Sequence, residues 1–182
     1  KTVALIEKAK VGGTCLHQGC IPTKALLHAA EVATTAREGA SIGVNTTFDS
    51  VDMVKVNSYK QGVIDRLYKG LTGLVNQDGI TVVEGDGSVV DSRTVEVNGQ
   101  RYTGKNLVLA TGSEPRTLGI EIGGRVMTSD QALALDEVPK RAVIIGGSVI
   151  GVEFASVWNS FGAEVTIIEA LPSLVPLEDP VL

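Results

Sequence analysis

Apolar positions along this chain follow first a helical period, then a strand-like one, then the two in alternation. Thr2-Val3-Ala4-Leu5-Ile6-Glu7 is a short apolar run closed by a carboxylate, the length of one strand. Pro22 suits a first helical turn, and residues 24–33 are rich in good helix formers. Residues 39–48, with their Gly and Thr, read as a loop. A second helix is expected over 51–76, capped by Asp49 or Ser50, with Met53, Val56, Val63, Ile64, Leu67, Leu71, Leu74 and Val75 as its apolar stripe. The runs 80–84, 88–90 and 94–97, punctuated by Gly85-Asp86-Gly87 and Asn98-Gly99, predict an antiparallel meander.

A buried strand is then expected over 106–113, ending in the small residues Ala110-Thr111-Gly112-Ser113. Such an end lets backbone approach a cofactor closely. Pro115 and Gly119 mark a linker, and 129–135 is amphipathic. After it come an apolar strand (142–145), the turn Gly146-Gly147-Ser148-Val149-Ile150-Gly151, a helix (152–161) and a strand (164–169) closed by Glu169.

That last succession is what dinucleotide binding requires. A glycine turn brings backbone N–H groups and a helix N-terminus to a pyrophosphate, and a carboxylate about 20 residues on takes a ribose hydroxyl. A carboxylate at Glu169, with no arginine following it, favours NAD over the 2′-phosphate of NADP. Ser148 stands where the middle glycine is expected, so its side chain either weakens pyrophosphate binding or is accommodated by a small shift. Glu7 occupies the equivalent strand end of an earlier unit, whose first strand and Gly-x-Gly-x-x-Gly turn are expected within about 25 to 30 residues preceding Lys1.

The chemistry is concentrated in Gly12-Gly13-Thr14-Cys15-Leu16-His17-Gln18-Gly19-Cys20-Ile21-Pro22-Thr23-Lys24, which holds both cysteines of the 182 residues. Closing so short a loop gains little chain entropy, so a structural staple is a poor reading and a redox-active disulfide a better one. The helix end and Lys24 favour a thiolate on Cys20 after reduction, while Cys15 lies further out as the more accessible sulfur. Two other readings stay open. A metal site could draw on Cys15, His17, Cys20 and His28, although the spacing fits no usual zinc pattern; or the two cysteines could be buried and inert.

Composition narrows the setting. The net charge is -5, aromatics make up 4%, and hydrophobic residues 43%. No apolar run reaches the ~18 residues of a membrane span, and no basic patch favours nucleic acid. A soluble cytoplasmic protein is expected (mitochondrial matrix for a eukaryotic source), with neither membrane nor nucleic acid as partner.

Taken in order, the cysteine run, the Ala-Thr-Gly-Ser strand end and the second glycine turn resemble the flavoprotein pyridine nucleotide-disulfide oxidoreductases. Within them Ile21-Pro22-Thr23-Lys24-Ala25-Leu26-Leu27 is most similar to the dihydrolipoamide dehydrogenases. The resemblance implies an α/β fold: a Rossmann-like FAD-binding domain with an inserted antiparallel β-meander (1–116), followed by the start of a second Rossmann-like, NAD-binding domain (117–182). It implies that Cys15 exchanges with the dithiol substrate, that Cys20 faces the flavin in charge-transfer contact, and that Lys24 sits beside the flavin with Glu153 as its acidic partner. FAD contacts are implied at Glu7, Gly13, Thr14, Lys24, Gly87, Thr111, Gly112 and Ser113; NAD contacts at Gly146, Ser148, Val149, Ile150, Gly151 and Glu169.

The implied reaction oxidises dihydrolipoamide through the disulfide and FAD to NAD. The implied partners are a lipoyl domain of a 2-oxo acid dehydrogenase or glycine cleavage complex and a second subunit of a homodimer. That subunit would supply a histidine–glutamate base, a context neither His17 nor His28 fits. The 182 residues alone are expected neither to hold FAD tightly nor to turn over. Mercuric and glutathione reductases share the cysteine loop; the second normally uses NADPH, against Glu169, and the first carries an extra C-terminal cysteine pair. A non-catalytic nucleotide-binding scaffold is the rival from another class, disfavoured by the intact set Cys15, Cys20, Lys24 and Glu153.

Overall fold

A computed structural model describes residues 2–179. Lys1 and residues 180–182, the outer ends of the two expected domains, lie outside the described residues. Strand β1 (Ala4–Glu7) leads to the short helix α1 (Gly13–Gln18) and the long helix α2 (Cys20–Glu38). A 3-10 turn, Gly39–Ile42, opens the expected loop, and α3 (Met53–Gln77) returns. Strands β2 (Thr81–Glu84), β3 (Ser88–Asp91), β4 (Thr94–Val97) and β5 (Gln100–Thr103) follow, then α4 (Ser129–Ala132), β6 (Arg141–Ile145), α5 (Val149–Phe161) and β7 (Glu164–Ile168).

Helix α2 is the centre. It packs against α3 on one side and α5 on the other, around Leu26, Ala30, Ala33, Met53, Leu133, Phe154, Val157, Trp158, Phe161 and Ala163. Ala30 and Ala33 keep the α2 surface shallow, which admits the bulky Trp158 and Phe161, themselves edge to face at 6.1 Å. Polar ties flank this core: Thr34 Oγ donates to Ser160 Oγ at 3.1 Å, and Arg37 donates to the Ser160 carbonyl while lying over the Phe48 ring.

Several expectations change. The run 80–84 is no part of the meander: β2 pairs in parallel with β1, Leu5 opposite Val82, and the Gly85 N–H extends that ladder to the Glu7 carbonyl. The antiparallel sheet is β3-β4-β5, closed by the two-residue turn Asn98-Gly99, both at positive φ, between paired Val97 and Gln100. Glycines announce a chain reversal without saying which strand is met next.

The stretch 106–113 forms no strand; Val108 is 81% exposed and Leu109 67%. A strand exists only through a ladder partner, and none of the described strands runs beside it. The apolar strand β6 buries one face only: Ala142 and Ile144 meet the core, Val143 and Ile145 do not. Helix α3 begins one residue after Asp52, whose Oδ1 accepts the Lys55 N–H at 3.1 Å, so Asp52 is the cap rather than Asp49 or Ser50. Its stripe is narrower than expected, since Leu67 and Leu74 are exposed. Helix α5 begins at Val149 rather than 152, directly after the turn.

Candidate functional site

Both cysteines meet where α1 passes into α2. Gly12 has φ 110, and a side chain there would overlap Leu16, so glycine is needed for conformation and for space. Cys15 and Cys20 form a disulfide with Cα atoms 4.8 Å apart. Cys15 lies within helix α1 rather than in an open loop. Both cysteines are exposed, so burial does not single out Cys15 as the accessible sulfur and does not make the pair inert. Leu16 is buried, while His17 donates from Nε2 to the Val11 carbonyl at 3.0 Å and meets the Tyr68 ring edge on at 5.1 Å. The redox segment thus rests on α3. His28 lies elsewhere, on the exposed side of α2 with Glu31 at 3.7 Å.

Cys20 is the first residue of α2, where the backbone N–H groups have no intrahelical partner. Lys24 follows one turn later, on the same side of the helix. Its ammonium donates to Glu153 Oε1 at 2.5 Å, joining residues 129 positions apart on α2 and α5. The Lys24 side chain is 58% exposed and that of Glu153 20%. Disulfide, ammonium and carboxylate therefore lie along one end of the α2–α5 contact.

The remaining expected residues form two clusters at strand ends. Glu7 closes β1, its Oε1 accepting the Ala9 N–H at 2.8 Å. Gly13 has φ 58 and Gly112 φ 84, and a Cβ on Gly112 would stand 3.2 Å from the Thr14 hydroxyl. The segment Thr111-Gly112-Ser113 is thus brought against the Gly13-Thr14 turn although no strand carries it there. Gly87 has a packing reason of its own: a Cβ would stand 3.0 Å from Ile6 and 3.1 Å from Val95, which seats the meander on β1.

The second cluster is the turn between β6 and α5. Gly146 has φ 109, and a side chain on Gly151 would overlap the Gly146 carbonyl, so helix and strand approach each other only because residue 151 is glycine. Ser148 caps α5 with φ -78, an ordinary value for any residue, and its exposed side chain makes no capping bond. Val149 and Ile150 form the exposed first turn. Glu169 Oε1 accepts the Leu171 N–H at 2.9 Å and Oε2 the Gly147 N–H at 2.6 Å. Those backbone donors, Leu171 first, hold its carboxyl below the ordinary value of 4.5. Each oxygen keeps a further lone pair for a ribose hydroxyl.

Reading the sequence by itself missed two features. The Gly147 carbonyl accepts the Val175 N–H at 2.8 Å, so the chain after β7 lies over the turn. Lys60 is buried at 7% exposure, although it lies outside the apolar stripe expected for its helix. Among the described residues no helix is long and apolar enough to cross a membrane, and no group of three or more His, Cys, Asp or Glu is placed to hold a metal.

The family described as pyridine nucleotide-disulphide oxidoreductase matches residues 1–182. Dihydrolipoyl dehydrogenase of Bacillus subtilis is 44% identical over 191 residues, covering 97% of this chain and 40% of the relative. That of Acholeplasma laidlawii is 42% identical over 184 residues, covering 97% of this chain and 55% of the relative. The chain thus spans about half or less of these relatives. Among solved structures, the HOCl-induced flavoprotein disulfide reductase RclA from Escherichia coli aligns with TM-score 0.73 at 33% identity, over 98% of this chain and 39% of that one. With the whole length matched and the disulfide seated at the head of α2, the chain belongs to the pyridine nucleotide-disulphide oxidoreductase family.

Proposed function

We propose that this chain carries the redox centre and the second nucleotide-binding turn of a dihydrolipoamide dehydrogenase, which oxidises dihydrolipoamide to lipoamide with FAD as internal carrier and NAD as acceptor. The observation that carries the reading is the Cys15–Cys20 disulfide at the head of α2, with Lys24 one turn on and held by Glu153. Residues 1–116 are read as the FAD-binding domain and 117–182 as the start of the NAD-binding domain. The β3-β4-β5 meander lies within the first.

The residues present fit both groups. Gly13 and Gly112 keep a space beside Thr14 that side chains would fill, and Glu7 presents a carboxylate at the end of β1. Gly146 and Gly151 hold the N-terminus of α5 close behind β6, with Glu169 at the end of the neighbouring strand. FAD, when bound, supplies the two-electron carrier between disulfide and nicotinamide.

The chain's own part is thiol exchange. A substrate thiolate attacks Cys15 Sγ, the protein S–S bond breaks, and Cys20 leaves as a thiolate favoured by the helix end and by the Lys24 ammonium. The substrate's second thiolate displaces Cys15 from the mixed disulfide. The substrate thereby loses two electrons and two protons, and the protein pair gains the electrons. Glu153 offsets the Lys24 charge and holds its ammonium in place. We assign proton removal to a histidine–glutamate pair of the second subunit in a homodimer. A lipoyl domain of a 2-oxo acid dehydrogenase or glycine cleavage complex presents the dithiol in the cytoplasm, or in the mitochondrial matrix of a eukaryote.

The test is a substrate panel on the protein that carries this chain. NAD reduction driven by dihydrolipoamide, abolished by Cys15→Ser and by Cys20→Ser, is the expected result. NADPH-driven reduction of glutathione disulfide or mercuric ion, with no dihydrolipoamide oxidation, would assign the chain to another reductase.

A further inference from the structure

Lys60 is a buried ammonium for which the redox chemistry above has no use. Its Nζ donates to the Leu133 carbonyl and to Asn57 Oδ1 at 2.7 Å, and Asn57 Nδ2 donates to the Leu135 carbonyl at 2.8 Å. Both lysine acceptors are neutral, and burial pushes its amine below the usual 10.5. An apolar side chain of similar length would fill the same space at lower electrostatic cost, so directional bonding is what the lysine adds.

The bonded segment explains the need. Residues 133–135 follow α4 and lead into β6, whose turn carries α5 and with it Glu153. Leu133 itself belongs to the core between α2 and α5. That core is apolar and lined on the α2 side by Ala30 and Ala33, and the direct hydrogen bonds from α2 to α5, Thr34 and Arg37 on Ser160, lie toward the C-terminal end of α5, away from Glu153. Hydrogen bonds are directional, and those from Lys60 and Asn57 pin the chain just before β6. Lys60, Leu133 and Ala134 also line a cavity of about 220 Å³ together with His17 and Gln18 of the redox segment and Asp130 of α4.

We propose that Lys60 and Asn57 are positioning residues: a latch from α3 onto residues 133–135 that holds the chain leading into β6 and the first turns of α5, and so keeps Glu153 at Lys24. The latch rests on the proposed role of that pair, but not on the identity of the dithiol. Lys60→Met removes the donors and keeps the stem; Asn57→Ala removes the bonds to the Leu135 carbonyl and from Lys60 but leaves that of Lys60 to Leu133, and provides a milder variant if the first folds poorly.

The experiment is a double-mutant cycle on kcat in the full-length protein, combined with amide hydrogen exchange. Glu153→Gln is expected to lower kcat about tenfold on its own. In the Lys60→Met or Asn57→Ala background it should lower kcat by less than about threefold, because the carboxylate has already lost its place. Exchange should accelerate over residues 133–140 and the first turn of α5, with KM for the nucleotide moving less than kcat. Additive effects, or unchanged exchange over 133–140, would overturn the latch. If the unmodified protein turns over a dithiol other than dihydrolipoamide, the same cycle is run on that reaction, so the two proposals fail separately.

Discussion

An ion pair with one partner more than half exposed stabilises a fold by no more than about 1 kcal/mol. Lys24–Glu153, with the lysine 58% exposed, is such a pair, so stability is a poor reason for its presence. Its place beside the disulfide is a better one. Glu153→Gln should therefore shift the melting temperature very little while cutting the proposed dithiol oxidation about tenfold; a large loss of stability with unchanged kcat would reverse the assignment. At Asp52 the balance is the opposite. The Lys55 backbone N–H, with the Lys55 side chain helping, holds its carboxyl below 3.8. A carboxyl lowered on folding contributes stability that is complete above its unfolded value and lost as pH falls through the lowered one. Asp52→Asn keeps an acceptor that does not titrate, so its acid unfolding curve should lack that component of the wild-type curve near and below pH 3.8. Identical curves would deny Asp52 the role of cap.

Among elements, the glycine turn separates two demands that one motif usually merges. Residue 151 must be glycine because β6 and α5 touch there, whereas residue 148 has ordinary backbone angles and an exposed side chain. Gly151→Ala is expected to destabilise by about 1–3 kcal/mol through overpacking. Ser148→Gly should change stability by a few tenths of a kcal/mol, and calorimetric titration with NAD then reads whether the serine hinders the pyrophosphate. If Gly151→Ala melts like the unmodified protein, the contact between strand and helix is looser than described. Much of this element was legible beforehand, since turn, helix and acidic strand end are local in sequence. The stretches 80–84 and 106–113 were not, because a strand's partner is set by chain far away. The run 80–84 found β1, and 106–113 has no partner among the described strands. Lys60 escaped notice for a related reason: whether a helical lysine faces solvent or a distant carbonyl depends on what packs there.

At the scale of the whole molecule, α2 carries Cys20 at its head and its junction with α5 along its length. The junction is apolar at its centre and polar at both ends, with Lys24–Glu153 near one and Thr34 and Arg37 on Ser160 at the other. Trp158, 3% exposed and the single tryptophan of these residues, sits in the middle. Trp158→Ala removes the largest side chain of the contact and is expected to cost about 3–5 kcal/mol, most of it cavity and lost burial. A domain with typical stability of about 5–15 kcal/mol survives such a loss narrowly. The indole also reports on the junction. In a denaturant titration its emission should shift to the red together with loss of helical circular dichroism, because separating α5 from α2 opens the one core that both helices share. An emission shift well ahead of the helical signal would mean that α5 undocks first and that α2 is a hinge rather than part of a common core. In that event Lys24 and Glu153 would part before α2 and α3 unfold, and amide hydrogen exchange over the first turn of α5 should rise at the lower denaturant concentration.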